Sequence, residues 1–189
     1  MELNDQEQLR RNALKELYSL GIEPYPADLF EINTDSQYIL EHFELKGPEL
    51  TNLSLAGRIM SRRIMGNASF AELQDSKGRI QLYFKRDDVC PGEDKTLYNT
   101  VFKKLLDIGD IIGVKGYAFK TQMGEISIHV TEFKILTKSL RPLPIVKEKD
   151  GVLPESLLQN AEKSPLRLCG LFGNIPLNIN LVRKYVYYY

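Results

Sequence analysis

Alternating apolar and polar residues between Leu53 and Lys85 predict three consecutive antiparallel strands. Successive side chains of a strand point to opposite faces, so every second residue shares a face. The first strand then places Arg58, Met60 and Arg62 together on a polar face, opposite an apolar one. Short turns that contain glycine separate the strands. The pattern indicates a sheet with one buried face and one face exposed to water.

The polar face of the second and third strands carries an unusual combination of side chains. Phe70 shares the face of the second strand with Glu72, whereas Gln81 and Tyr83 lie on that of the third. This combination suits unpaired bases, because a ring stacks on a base, cations contact phosphates and an amide reads a base edge. Alternatively, Phe70 packs under a loop and the charged residues only keep the sheet hydrated.

The order of the predicted elements favours one fold class. A helix is expected from Thr96 to Asp107, followed by strands over residues 111–120 and 125–136. Three strands, one helix and two strands is the order of a five-stranded Greek-key barrel of the OB type.

Two further helices are expected before the barrel. The first begins at Asn4 or Asp5 and ends near Gly21, and the second covers residues 34–46. We therefore predict a mainly β protein with helices, in three parts: an N-terminal helical extension over residues 1–50, an OB-fold barrel over residues 51–140, and a linker with an atypical tail over residues 141–189.

Three candidate residues converge on one region of such a barrel. OB-fold barrels bind single-stranded nucleic acid or oligosaccharide on strands two and three, beside the loops that follow strands one and four. Phe70 and Gln81 fall on that face, and Glu125 lies just after the loop between strands four and five. The convergence favours a binding site over an ordinary exposed sheet face.

Composition narrows the class of protein without choosing a function. The 189 residues are 43% hydrophobic and 26% charged, as in ordinary globular proteins. The net charge is zero, but residues 1–50 contain 4 basic and 11 acidic side chains, whereas residues 51–138 contain 14 basic and 10 acidic ones. This basic excess lies where phosphates would bind, yet it is too small to argue for nucleic-acid binding by itself.

Neither a membrane nor a metal is indicated by the sequence. No apolar run is long enough to span a bilayer, and the acidic N-terminus is unlike a signal peptide. Cys90 and Cys169 make no disulfide framework, and with His42 and His129 they make no metal-ligand spacing. A reducing cytoplasm is the expected setting.

Several runs of the chain resemble the N-terminal anticodon-binding domain of bacterial-type class II lysyl-tRNA synthetases, over roughly residues 5–151. The runs are LAGRIMSRRIMGNASFAELQDSKGRIQLY, FKKLLDIGDIIGVKG, FKTQMGEISIHV and LTKSLRPLPIVKEKDG. The resemblance implies a tRNA with a lysine anticodon as partner. It also implies roles at the middle anticodon base, a uracil: Phe70 stacks on it, and Gln81 and Glu125 form hydrogen bonds with it. Arg62 would lie near the anticodon backbone or a flanking base.

The chemistry of uracil agrees with these implied roles. Uracil offers carbonyl acceptors and one ring N–H donor, while an amide can donate and a carboxylate can accept. An amide and a carboxylate together therefore suit uracil and suit cytosine poorly. Taken one at a time, Gln81 could be a solvated strand amide, Glu125 a surface carboxylate and Arg62 one charge of an exposed basic face.

The resemblance is expected to stop near Gly151. The family's catalytic part, which activates lysine with ATP and magnesium, carries motifs that residues 152–189 lack, and no Walker-type loop or dinucleotide fingerprint occurs. We therefore expect this chain to need no cofactor and to lack ligase activity by itself, unless it is a fragment of the full enzyme. We interpret residues 152–189 as a truncated or out-of-frame ending and expect them to pack poorly.

One alternative remains open at this point. The chain could be a stand-alone OB protein that binds single-stranded nucleic acid without base specificity. Because family enzymes dimerise chiefly through the catalytic part, we expect a monomer for this chain and a homodimer for the full-length enzyme.

Overall fold

The computed structural model describes residues 3–143 as a closed β-barrel with helices around it. The strands lie in the order β1-β2-β3-β5-β4, and every neighbouring pair is antiparallel except β3 and β5. Their bounds are Leu53–Met65 (β1), Ala68–Gln74 (β2), Arg79–Lys85 (β3), Ile111–Lys120 (β4) and Ile126–Thr137 (β5). The predicted five-stranded OB-fold barrel is confirmed.

The helices confirm the N-terminal extension and refine the connection between β3 and β4. Their bounds are Asp5–Ser19 (α1), Ser36–Lys46 (α2), the 3-10 turn Gly47–Glu49, the single-turn helix Arg86–Val89 (α3) and Leu97–Leu105. The last is a π-helix. None of the helices within residues 3–143 is both long and apolar enough to cross a membrane. The expected poor packing of the tail concerns residues outside the described range.

Helix α1 begins and ends where the sequence predicts. The Asn4 side chain accepts a hydrogen bond from the Glu7 N–H, and the Glu7 carboxylate accepts one from the Asn4 N–H, which makes a capping box. Gly21 follows the helix with φ +73°, a conformation that glycine adopts without strain. Leu17 is fully buried, but Leu9 is 67% exposed, so the apolar stripe packs only in part.

The apolar strand faces form the barrel interior, as the alternation predicts. The π-helix lies across this interior: the Phe102 ring is 4.2 Å from that of Phe84 and 5.9 Å from that of Phe133, centroid to centroid. Fully buried strand residues include Leu55, Ile59, Leu73, Leu82, Ile112, Val114, Ile128 and Val130. Burial of these side chains is the main favourable contribution to folding.

The segment between α1 and α2 covers the outer side of β1 and β4. The Phe30 ring lies directly on Gly113, where a Cβ atom would come within 2.6 Å of the ring. The Asn33 N–H donates to the Ser54 carbonyl at 3.0 Å, and the Ser54 hydroxyl donates to the Glu31 carbonyl. The open groove of the barrel lies instead on the outer side of β2 and β3.

Candidate nucleic-acid interface

An open groove of about 400 Å³ runs along the outer side of β2 and β3 and ends at the turn before β5. Its charged, amide and aromatic walls are Arg63, Phe70, Glu72, Arg79, Gln81 and Glu125. Three of the four residues predicted from the sequence therefore meet in one place. The fourth, Arg62, does not line the groove.

Phe70 stands in the groove wall between two neighbouring strands. Strand pairing places Arg63 of β1 on one side of it and Tyr83 of β3 on the other. The Arg63 guanidinium carbon lies 5.4 Å from the centre of the Phe70 ring, and the Tyr83 ring lies 5.2 Å away, tilted by 50°. Contacts on both sides restrict the ring, so a base can stack on it with little loss of conformational freedom.

Gln81 and Glu125 are joined by a direct hydrogen bond. The Gln81 Nε2 donates to Glu125 Oε2 at 2.7 Å, although the residues are far apart in sequence. Parallel pairing of β3 with β5 places Gln81 opposite Ser127, two residues after Glu125. An NH₂ group has two hydrogens and a carboxylate has two oxygens, so each side chain keeps capacity for a ligand.

The position predicted for Arg62 is wrong, because β1 contains a β-bulge. Ile59 pairs with Leu73, but the next pair is Ser61 with Glu72, which leaves Met60 as an extra residue. One extra residue reverses the alternation of all that follows in the strand. Arg63, rather than Arg62, therefore points outward.

Arg62 instead fastens the π-helix to the barrel. Its guanidinium donates to the Phe102 carbonyl and lies 5.8 Å from the centre of the Phe102 ring. Burial lowers the pKa of Arg62, and the carboxylates of Asp107 and Asp110 partly oppose this shift. Arg62 therefore stabilises the contact between the π-helix and the barrel, on the opposite side of β1 from the groove.

Arg63 is the groove residue that sequence reasoning missed. Pairing β1 with β2 through the bulge would have placed it beside Phe70, but alternation within one strand gives no sign of a bulge.

The second groove cation, Arg79, contacts Glu72 at 3.3 Å and Gln74 at 3.1 Å. Two arginines thus face a groove that also holds two carboxylates. A carboxylate repels phosphate, so Glu125 is suited to a ligand that donates a hydrogen bond.

Comparison with known proteins agrees with the barrel fold. Residues 53–136 match the family of the OB-fold nucleic acid binding domain. The chain is 54% identical over 177 residues to a lysine–tRNA ligase of Porphyromonas gingivalis strain ATCC 33277, and 59% identical over 154 residues to that of Azobacteroides pseudotrichonymphae. This chain is homologous to the N-terminal region of lysine–tRNA ligases.

The ligase homology covers most of this chain but a minor part of its relatives. The two alignments span 92% and 82% of the chain, and 30% and 31% of the two ligases. The chain therefore spans less than a third of the length of these ligases. A coverage of 92% reaches beyond Gly151, where the resemblance was expected to stop.

Proposed function

We propose that this domain binds the anticodon loop of a lysine-accepting tRNA and reads the middle base as uracil. The observation that carries the proposal is the 2.7 Å contact between the Gln81 amide and the Glu125 carboxylate, in the groove that the half-buried ring of Phe70 also lines. The homology supports it, since the relatives are lysine–tRNA ligases and the barrel family binds nucleic acid.

In the proposed complex, the middle base leaves its stack and lies on Phe70. The second hydrogen of the Gln81 amide donates to a uracil carbonyl, and the Glu125 carboxylate accepts from the uracil N3–H. Cytosine has a lone pair at N3, so the carboxylate would face an acceptor without a proton between them. An unpaired polar contact of this kind costs about 1–3 kcal/mol.

The two groove arginines complete the proposed interface. Arg63 and Arg79 contact phosphates on either side of the extruded base, while Arg62 stays on the π-helix. We assign the attachment of lysine to tRNA, which requires ATP and magnesium, to the part of the ligases that this chain does not span. The cytoplasmic setting and the monomeric state stay predictions.

Titration with anticodon stem-loops tests the proposed function. Four stem-loops that differ only in the middle base are compared at one salt concentration, because phosphate contacts make affinity depend on salt. We expect the uracil loop to bind about tenfold or more tighter than the cytosine loop, from the lost N3–H contact. Equal affinity for all four bases would support the alternative, a single-strand binding protein without base specificity.

A further inference from the structure

Ser127 lies directly behind the Gln81 amide. It is opposite Gln81 in the β3–β5 register and is fully buried, whereas Glu125 is exposed. Its hydroxyl donates to Gln81 Oε1 at 3.0 Å. The other acceptor within reach, the Glu125 carbonyl, is more distant at 3.4 Å, so the bond to Gln81 is the stronger one.

Together with the Glu125 contact, this bond favours one orientation of the amide and so sets which end faces the groove. An amide can turn by 180°, which exchanges its oxygen and its NH₂ group. A carboxylate only accepts hydrogen bonds, so Glu125 requires the NH₂ end at its 2.7 Å contact. The Ser127 hydroxyl donates to the remaining oxygen at 3.0 Å. If the amide turned, the hydroxyl would have to accept from the NH₂ group and donate its own hydrogen to the Glu125 carbonyl, which is more distant at 3.4 Å. Ser127 therefore favours the same orientation as Glu125.

Glu125 and Ser127 differ in how a bound base affects their hydrogen bonds to Gln81. Under the proposed function, the exposed Glu125 turns part of its hydrogen-bonding capacity toward the uracil N3–H. The buried hydroxyl contacts no ligand and lies where the local dielectric strengthens a hydrogen bond. In the complex, Glu125 divides its oxygens between the Gln81 NH₂ group and the base, and the bond from Ser127 to Oε1 is the second contact that keeps the NH₂ end of Gln81 directed at the base.

We propose that Ser127 is a positioning residue that makes the groove reject cytosine. The inference rests on the proposed function and adds that Gln81 reads position 4 of the pyrimidine, a carbonyl in uracil and an amine in cytosine. A fixed NH₂ group donates a hydrogen bond to the uracil carbonyl. Against the cytosine amine it places one donor opposite another, which is unfavourable. Without the Ser127 bond, only the exposed carboxylate of Glu125 holds the NH₂ end. When that side chain moves aside, the amide can turn and accept a hydrogen bond from the cytosine amine.

The test is the ratio of affinities for uracil and cytosine stem-loops, measured with the full chain. Ser127→Ala is expected to reduce the preference for uracil about five- to tenfold, the effect of one hydrogen bond, while uracil binding changes less than about threefold. Ser127→Cys has a similar shape with a weak donor and should change the ratio in the same direction, by less. It replaces the alanine variant if that variant does not fold.

Thr131→Val is the matched control. It removes a hydroxyl from the same strand, one that donates to the Lys115 carbonyl at 3.2 Å outside the groove, so the ratio should stay at the wild-type value. An unchanged ratio in both Ser127 variants would overturn the inference. Equal weakening toward both loops would also overturn it, because that result indicates a purely structural role. A wild-type chain without preference for uracil would refute the proposed function itself.

Discussion

Arg62 and Arg63 are adjacent in sequence, but Arg62 stabilises the fold whereas Arg63 faces the groove. Arg63→Ala is expected to weaken stem-loop binding about tenfold and to lower the salt dependence by about one phosphate contact, with little effect on stability. Arg62→Ala should instead remove about 1.5–3 kcal/mol of stability, because the Phe102 carbonyl loses a charged donor, and should leave affinity nearly unchanged. Urea unfolding and titration of both variants distinguish the residues. The reverse outcome would place the wrong arginine in the groove.

Phe70 and Gln81 are expected to contribute differently to binding. Phe70→Ala should weaken binding to every stem-loop by roughly 1–3 kcal/mol, since a ring stacks on any base. Gln81→Ala should mainly reduce the preference for uracil. Phe70→Tyr retains the ring and serves as the control. Should the two alanine variants alter all four affinities in the same proportion, the division between stacking and reading would be incorrect.

The candidate residues show which parts of the site a sequence can reveal. Alternation suffices for Phe70 and Gln81, because their short strands contain no irregularity. Glu125 follows from the expected position of a loop. Arg63 could not be found, because the bulge at Met60 exists only in the pairing of two strands. The bond from Ser127 to Gln81 likewise depends on the β3–β5 register, which no local pattern specifies.

At the scale of elements, a buried ion pair ties the end of β5 to the turn before β4. The Lys138 side chain is fully buried, and its Nζ lies 2.8 Å from the equally buried carboxylate of Asp110, with Asp107 as a second partner. The Asp110 carboxylate also accepts from the backbone N–H groups of Ser139 and Asp107. Burial raises the pKa of Asp110, against the influence of these partners.

Breaking this pair should be far more costly than breaking an exposed one. Asp110→Asn leaves the buried Lys138 ammonium with less compensation, and we expect a loss of about 3–5 kcal/mol of stability. The exposed pair of Lys115 and Glu132, 3.1 Å apart, is the control, and Glu132→Gln should cost about 1 kcal/mol or less. Urea unfolding compares the two. Similar losses in both variants would mean that the buried pair does not fasten β5.

The π-helix shows the limit of prediction for an element. Leu97, Val101 and Leu105 recur every four residues, a spacing that correctly predicts a helix with one apolar face. Helical spacing does not identify the hydrogen-bond pattern, and the Leu106 N–H here donates to the Val101 carbonyl, five residues back. Local periodicity also does not reveal tertiary contacts, such as the packing of Phe102 on Phe84.

At the scale of the molecule, the barrel presents different outer sides to a nucleic acid. The segment with Phe30 covers β1 and β4, and the excess of acidic side chains in residues 1–50 repels phosphate. The groove on β2 and β3 remains open and holds Arg63 and Arg79. The order of strands and helix predicted this architecture, whereas the covered side could not be foreseen because residues 22–33 have no regular period.

Chemical-shift mapping of the ¹⁵N-labelled chain with the uracil stem-loop tests most directly whether this groove is the binding face. The largest changes are expected at the backbone amides of Phe70, Gln81 and Glu125 and at the side-chain amide of Gln81. Resonances of Ser54 and Gly113, on the covered side, should move little. If the largest changes fell on that side or on α1 and α2, the groove would not be where this protein binds RNA.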